Sequence, residues 1–119
     1  MARPDPALAL LGLAARAGVV VRGTERVRQA VSAGIAAYVI VAEDASANAV
    51  DKVVPLLERR GVAHARRYSR GQVGESVGRS PLSAVAITDR GFARRLAVLV
   101  DGPSEVVATE KQAGQSRQS

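Results

Sequence analysis

The residues best suited to chemistry in this chain form one run, Arg22-Gly23-Thr24-Glu25-Arg26-Val27-Arg28. Thr24 is a natural N-cap and Glu25 an acidic first-turn residue, so a helix is expected to begin here. A helix start presents unpaired backbone N–H groups and a partial positive charge, and three arginines fall within two turns of it. Phosphate is attracted to such a place. Glu25 adds an acceptor that can meet a base edge such as guanine. The competing reading is an ordinary basic helix face turned to solvent.

Other reactive residue types are sparse. Glu43-Asp44 follows an apolar run, the position where α/β enzymes keep catalytic groups, and a carboxylate pair could bind Mg²⁺ or move protons. Asp44 equally suits a turn or helix cap, and Thr88-Asp89 carries the same two readings. The glycine run Gly71-Gln72-Val73-Gly74-Glu75-Ser76-Val77-Gly78 lacks a G-x-G core and a Walker lysine. It also falls on a helical pattern, so its glycines are expected to allow close packing. The single histidine, His64, alternates with Ala63 and Ala65 and reads as a sheet-face residue. Without cysteine, disulfides, thiolate zinc sites, iron–sulfur clusters and thiol nucleophiles are excluded. No cofactor and no metal site are expected.

Charge supports the basic run. Seventeen basic residues oppose 11 acidic ones, giving +6, and all the basic residues but Lys52 and Lys111 are arginine. The stretch 104–119 is neutral, so the excess lies on residues 1–103. A small basic body favours polyanions, and the planar guanidinium binds phosphate in a bidentate fork. No apolar run approaches the ~18 residues of a membrane span, and the N-terminus lacks an export pattern. A cytoplasmic protein is the expectation.

The elements that must position these residues follow from periodicity. A chain of 119 residues fits one domain, expected over 1–103, with a polar and disordered tail at 104–119. Residues 7–17 are apolar almost all round and read as a buried helix. Val19-Val20-Val21 is a short strand, and Val27, Ala30 and Val31 give the helix from Thr24 its inner face. Residues 38–42 and 84–88 are continuous apolar runs, expected as strands buried on both faces. A helix is expected over 46–60, kinked or broken at Pro55 because proline removes a donor and crowds the preceding turn. Residues 62–66 make a strand, Ser69 caps a short helix through Val77, and Asp89 caps a last helix carrying Phe92, Leu96 and Leu99. Gly18, Gly34, Gly61 and Gly78 end helical patterns as left-handed caps. This alternation predicts a three-layer α-β-α sandwich with a four-stranded mixed sheet and about five helices.

Residues 8–100 resemble the ribosomal protein L-seven-Ae/L-thirty-e family of kink-turn RNA binders, most closely its short bacterial members. Three stretches carry the likeness: Arg22-Gly23-Thr24 opening a helix that ends Gln29-Ala30-Val31-Ser32-Ala33-Gly34; Val39-Ile40-Val41-Ala42-Glu43-Asp44-Ala45 with Pro55-Leu56-Leu57 downstream; and Ser69 with Val73-Gly74-Glu75-Ser76-Val77-Gly78, then Pro81-Leu82. The resemblance implies a sandwich that grips a sharply bent RNA with the start of its second helix. It also implies that the loop before the fourth strand, Gly78 to Ser83, covers a flipped-out nucleotide. The family's readers at the helix start are Asn, then Glu, with Lys three residues later; Glu25, Arg26 and Gln29 stand at those positions here.

Together these readings predict non-catalytic binding of structured RNA, kink-turn-like or ribosomal, by a monomer. Arg22, Arg26 and Arg28 are expected to hold phosphates, Gly23 and Thr24 to bring backbone donors close, and Glu25 to face a base, with Gln29 beside it. Arg70, Arg79, Ser80 and Pro81 would flank that surface and Leu82 would supply the apolar cover. The rival is a protein-interaction module within a ribonucleoprotein or a homodimer, which predicts an exposed apolar patch.

Overall fold

A computed structural model describes residues 5–101. The expected tail at 104–119, and with it the boundary at 103, lies outside the described residues. In chain order the elements are α1 (Pro6–Arg16), β1 (Val20–Arg22), α2 (Thr24–Ser32), β2 (Tyr38–Val41), α3 (Ala47–Arg60), β3 (His64–Arg66), α4 (Arg70–Ser76), β4 (Ala84–Ile87) and α5 (Arg90–Asp101). The strands lie in the order β1-β4-β2-β3. β4 runs antiparallel to both β1 and β2, and β2 and β3 are parallel, so the sheet is mixed.

Alternation along the two central strands builds both cores. Tyr38, Ile40, Val85 and Ile87 point to one face, where they meet Leu11 of α1, Val73 of α4 and Leu96 of α5. Val39, Val41, Ala84 and Ala86 point to the other, against Val27 and Val31 of α2 and Val53 and Leu57 of α3. All eight residues of β2 and β4 are buried, as the unbroken apolar runs required. This is the expected three-layer sandwich.

Four local expectations need correction. α3 is one helix through Pro55, neither ended nor restarted there. Pro55 and Asp51, whose carbonyl loses its usual donor, both lie on the exposed side, where water can take that carbonyl. α1 is not buried all round: Ala7, Leu11 and Ala14 face the core while Leu13 is 49% exposed. The first strand is 20–22 rather than 19–21, because Val20, Val21 and Arg22 pair with Ile87, Ala86 and Val85. The third strand is confined to 64–66, the three residues that find partners on β2.

Candidate nucleic-acid interface

The strand directions give the sheet two ends. β1, β2 and β3 finish, and β4 begins, at what we call the upper end, so α2, α3 and α4 all start there. Backbone hydrogen bonds tie its loops together: Gly23 donates to the Ala84 carbonyl (2.9 Å), Ala42 to Ser83 (2.8 Å), and Leu82 to Arg70 (3.1 Å). The start of α2, the 42–45 turn, the start of α4 and the 78–83 loop therefore form one continuous surface.

The start of α2 differs from the sequence expectation in an instructive way. Gly23, not Thr24, is the N-cap, with φ 97° and ψ 152°, and no side chain caps the helix. Thr24 is already the first helical residue. A glycine is needed because residues with a Cβ are strained at that φ. The other helices are all closed by side chains: Asp5 for α1, Ser46 for α3, Ser69 for α4 and Asp89, through Phe92 N, for α5. α2 thus keeps its leading N–H groups for solvent or a ligand, with Glu25 and Arg26 exposed beside them.

The arginines of this end divide by occupation. Arg22 lies in β1, half-buried, and its Nε donates to the Val77 carbonyl at 3.3 Å, which ties the end of α4 to the sheet. Arg28 turns toward α3, donating from Nε to the Lys52 carbonyl (3.2 Å) and from Nη1 to Glu25 Oε1 (3.3 Å). Lys52 Nζ stands 3.5 Å from Glu25 Oε2, so the Glu25 carboxylate is shared between two cations rather than held clear for a base. At this exposure each such pair contributes about 0–1 kcal/mol, little enough for a ligand to replace. Arg70 is held by Asp44, which accepts from its backbone N (2.8 Å) and faces its Nε at 3.8 Å. Arg26, Gln29 and Arg79 are exposed, and their side chains make no hydrogen bond or ion pair among the described residues. Ser80 and Pro81 are exposed, while Leu82 is half-buried and packs on the core beneath α4.

Gly74 sets where that loop sits. A Cβ there would collide with the Ser80 carbonyl and meet Pro81 Cα at 2.9 Å, so the bare backbone lets the loop lie directly on α4. The close packing expected of this glycine run is with the loop, and Gly71 has no such neighbour. Two residues that sequence reasoning missed also hold this end. Lys52 binds Glu25, and Arg66 donates to the Ala42 and Glu43 carbonyls at 3.3 and 3.1 Å. In the sequence both are unremarkable polar positions. Their roles depend on α3 packing against α2 and on β3 ending beside the 42–45 turn.

The alternative chemical sites take structural roles. Asp44 and Asp89 each accept a helix-start N–H. His64 is half-buried on β3 with Nδ1 2.8 Å from the Val62 carbonyl. Among the described residues no three His, Asp or Glu side chains come together as a metal site. No described helix is long and apolar enough to cross a membrane.

A mixed sheet with helices on both faces, and an uncapped helix start amid arginines at one end, define the class: an α/β sandwich with a basic, loop-built end. Comparison with known proteins gives the family. The ribosomal protein L7Ae/L30e/S12e/Gadd45 family model matches residues 6–97, and the chain belongs to that family. It is 39% identical over 92 residues to RNA-binding protein YlxQ of Bacillus subtilis (strain 168), covering 77% of this chain and 92% of the relative. It is 32% identical over 96 residues to RNA-binding protein YlxQ of Enterococcus faecium, covering 81% and 92%. Among solved structures, a protein of unknown function from Bacillus halodurans C superposes with TM-score 0.79 at 32% identity, over 82% of this chain and 99% of that one. The Giardia lamblia 15.5kD RNA binding protein shares the fold, with TM-score 0.70 at 23% identity over 85% and 84%.

Proposed function

We propose that this protein binds structured RNA, of kink-turn or ribosomal type, through the upper end of the sheet and without catalysing a reaction. The observation that carries this is the uncapped start of α2, hydrogen-bonded through Gly23 to β4 beside the 78–83 loop and flanked by the uncommitted Arg26 and Arg79. Backbone donors and guanidinium groups together suit phosphate, and an irregular RNA is the form that exposes base edges to a protein. Relatives at 39% and 32% identity are named as RNA-binding proteins, which supports the same reading. In it Arg26, Arg79 and the donors at Gly23 and Thr24 take phosphates. Arg22, Arg28 and Arg70 hold the surface in shape and add field. Glu25 and Gln29 face the bases, and Ser80, Pro81 and Leu82 cover a turned-out nucleotide.

Titration against a kink-turn RNA and a plain duplex of equal length tests this. Arg26→Glu with Arg28→Glu is expected to lower kink-turn affinity at least about tenfold, roughly 1.4 kcal/mol. Each lost duplex-like phosphate contact should flatten the salt slope by ~0.9. Unchanged affinity removes this end from the site, and equal affinity for both RNAs removes the shape preference.

One observation favours a protein partner on a different face. Leu13 of α1 and Val98 and Leu99 of α5 are 49%, 38% and 45% exposed, and Leu10, Val98 and Leu99 line an open groove of about 580 Å³. Sizing chromatography at rising protein concentration separates self-association through that groove from a monomer.

A further inference from the structure

At the lower end of the sheet, where α5 begins, an open groove of about 530 Å³ lies between α5, the 34–37 turn after α2, and Ala63 ahead of β3. That volume falls within the ~300–1,000 Å³ of small-ligand sites. Its sides are methyl groups, among them Ala37, Ala63, Ala93 and Ala97, and Ile35 stands at the rim, 54% exposed. Arg90 and Arg94 of α5 also line it. Both are exposed, and neither pairs with a carboxylate among the described residues.

Tyr38 completes the lining. It is 1% exposed, and its hydroxyl is the one buried side-chain polar atom without a hydrogen-bond partner among the described residues. Buried polar atoms are nearly always paired, so an orphan in a groove wall is a donor with room for an incoming acceptor. Burial, and after it the nearby Asp101 carboxylate, push this phenol far above its ordinary value, so it stays protonated at neutral pH. Asp89 already occupies the Phe92 N–H at the start of α5. An anion here is therefore held by guanidinium groups, not by the helix end.

An apolar slot, two free guanidinium groups and one orphan donor match the parts of a nucleotide. The flat base enters between the alanines, a ring nitrogen or carbonyl accepts from Tyr38, and the phosphate lies on Arg90 and Arg94. We propose that this groove is a second nucleotide site, taking one unpaired nucleotide from a single-stranded stretch of RNA. The choice of RNA over a free mononucleotide rests on the function proposed above; the base-plus-phosphate chemistry does not. The groove lies at the opposite end of the sheet from the start of α2, so both sites can be filled at once by separated stretches of one RNA.

The test is amide chemical-shift mapping on the full chain, titrated with a single-stranded RNA hexamer and, separately, with adenosine monophosphate. The hexamer is expected to shift Ala37, Ala63, Arg90 and Ala93 and to bind at least about tenfold tighter than the mononucleotide. Arg90→Gln with Arg94→Gln should weaken the hexamer at least fivefold and flatten its salt slope by ~0.7 per lost contact, the single-strand value. Arg26→Glu should leave these shifts in place, which separates this site from the upper one. Absence of shifts in the groove overturns the proposal, as do shifts unchanged in the double glutamine variant. A mononucleotide as tight as the hexamer overturns the assignment to RNA. A protein partner lost on Arg90→Gln with Arg94→Gln, without any RNA-induced shift, overturns it in favour of a protein surface.

Discussion

The two ends of the sheet spend their charge differently. At the upper end most polar side chains are committed to the scaffold: Arg22 to the Val77 carbonyl, Arg66 to Ala42 and Glu43, Arg70 to Asp44, and Glu25 to Arg28 and Lys52. What they leave over is Arg26, Arg79 and the uncapped N–H groups of α2. At the lower end Arg60 caps the Ser32 carbonyl and His64 holds Val62, while Arg90 and Arg94 stay free beside an apolar groove. A surplus of arginine thus identifies a polyanion binder, but not its site. The site is marked by the arginines that folding does not use, together with backbone donors or an apolar slot beside them.

The largest expected effects come from the backbone of the upper end. Gly74→Ala drives a Cβ into the Ser80 carbonyl, and neither backbone can yield without moving the 79–83 loop. Overpacking of this kind costs about 1–3 kcal/mol, and the displaced loop should lower RNA affinity as well. Gly23→Ala meets no steric neighbour, yet φ 97° remains strained, at about 1–3 kcal/mol. Gly71→Ala is the control: its nearest contact is Ser69 Oγ at 3.7 Å, so stability should hold or rise by up to ~1 kcal/mol. Urea denaturation reads all three. Groove signals at the lower end should stay unmoved in Gly74→Ala, and a displaced lower end would break the division between the two ends.

How much of this was legible in sequence depends on whether the cause is local. The apolar runs at 38–42 and 84–88 gave the central strands because burial on both faces leaves no room for polar alternation. Order and spacing gave the family, which the match over residues 6–97 bears out. The cap of α2 was misplaced because Thr24 is a good capping residue in isolation. The hydrogen bond from Gly23 to Ala84, across 61 positions of sequence, decides otherwise. Pro55 misled for a similar reason: which face of α3 meets water is a property of the packed molecule. Nor could the occupation of Arg22 and Arg28 be read, since Val77 and Lys52 become neighbours only when the sandwich closes.

The smallest effects compare two tyrosines, one reaching toward each end. The Tyr68 hydroxyl donates to Asp5 Oδ1 at 3.0 Å, which fastens the start of α1 to the turn after β3. Burial, then that bond, push its phenol up from 10.0 to about 12. Tyr38 is raised further, also chiefly by burial, but has no partner. In each case the folded state holds the proton that the unfolded chain releases above pH 10. Stability is therefore full below about pH 10 and falls as pH rises toward 12 and beyond. Tyr68→Phe should cost roughly 1.5 kcal/mol at pH 7, the contribution of a hydrogen bond to a charged acceptor, and should soften the alkaline loss. Tyr38→Phe should soften that loss too, yet cost nothing at pH 7, because an unpartnered buried hydroxyl contributes no bond to lose. Melting temperatures at pH 7 and pH 11 read both variants. A Tyr38→Phe chain destabilised as much as Tyr68→Phe at pH 7 would mean that its hydroxyl is satisfied in solution, and would remove the orphan donor from the lower groove.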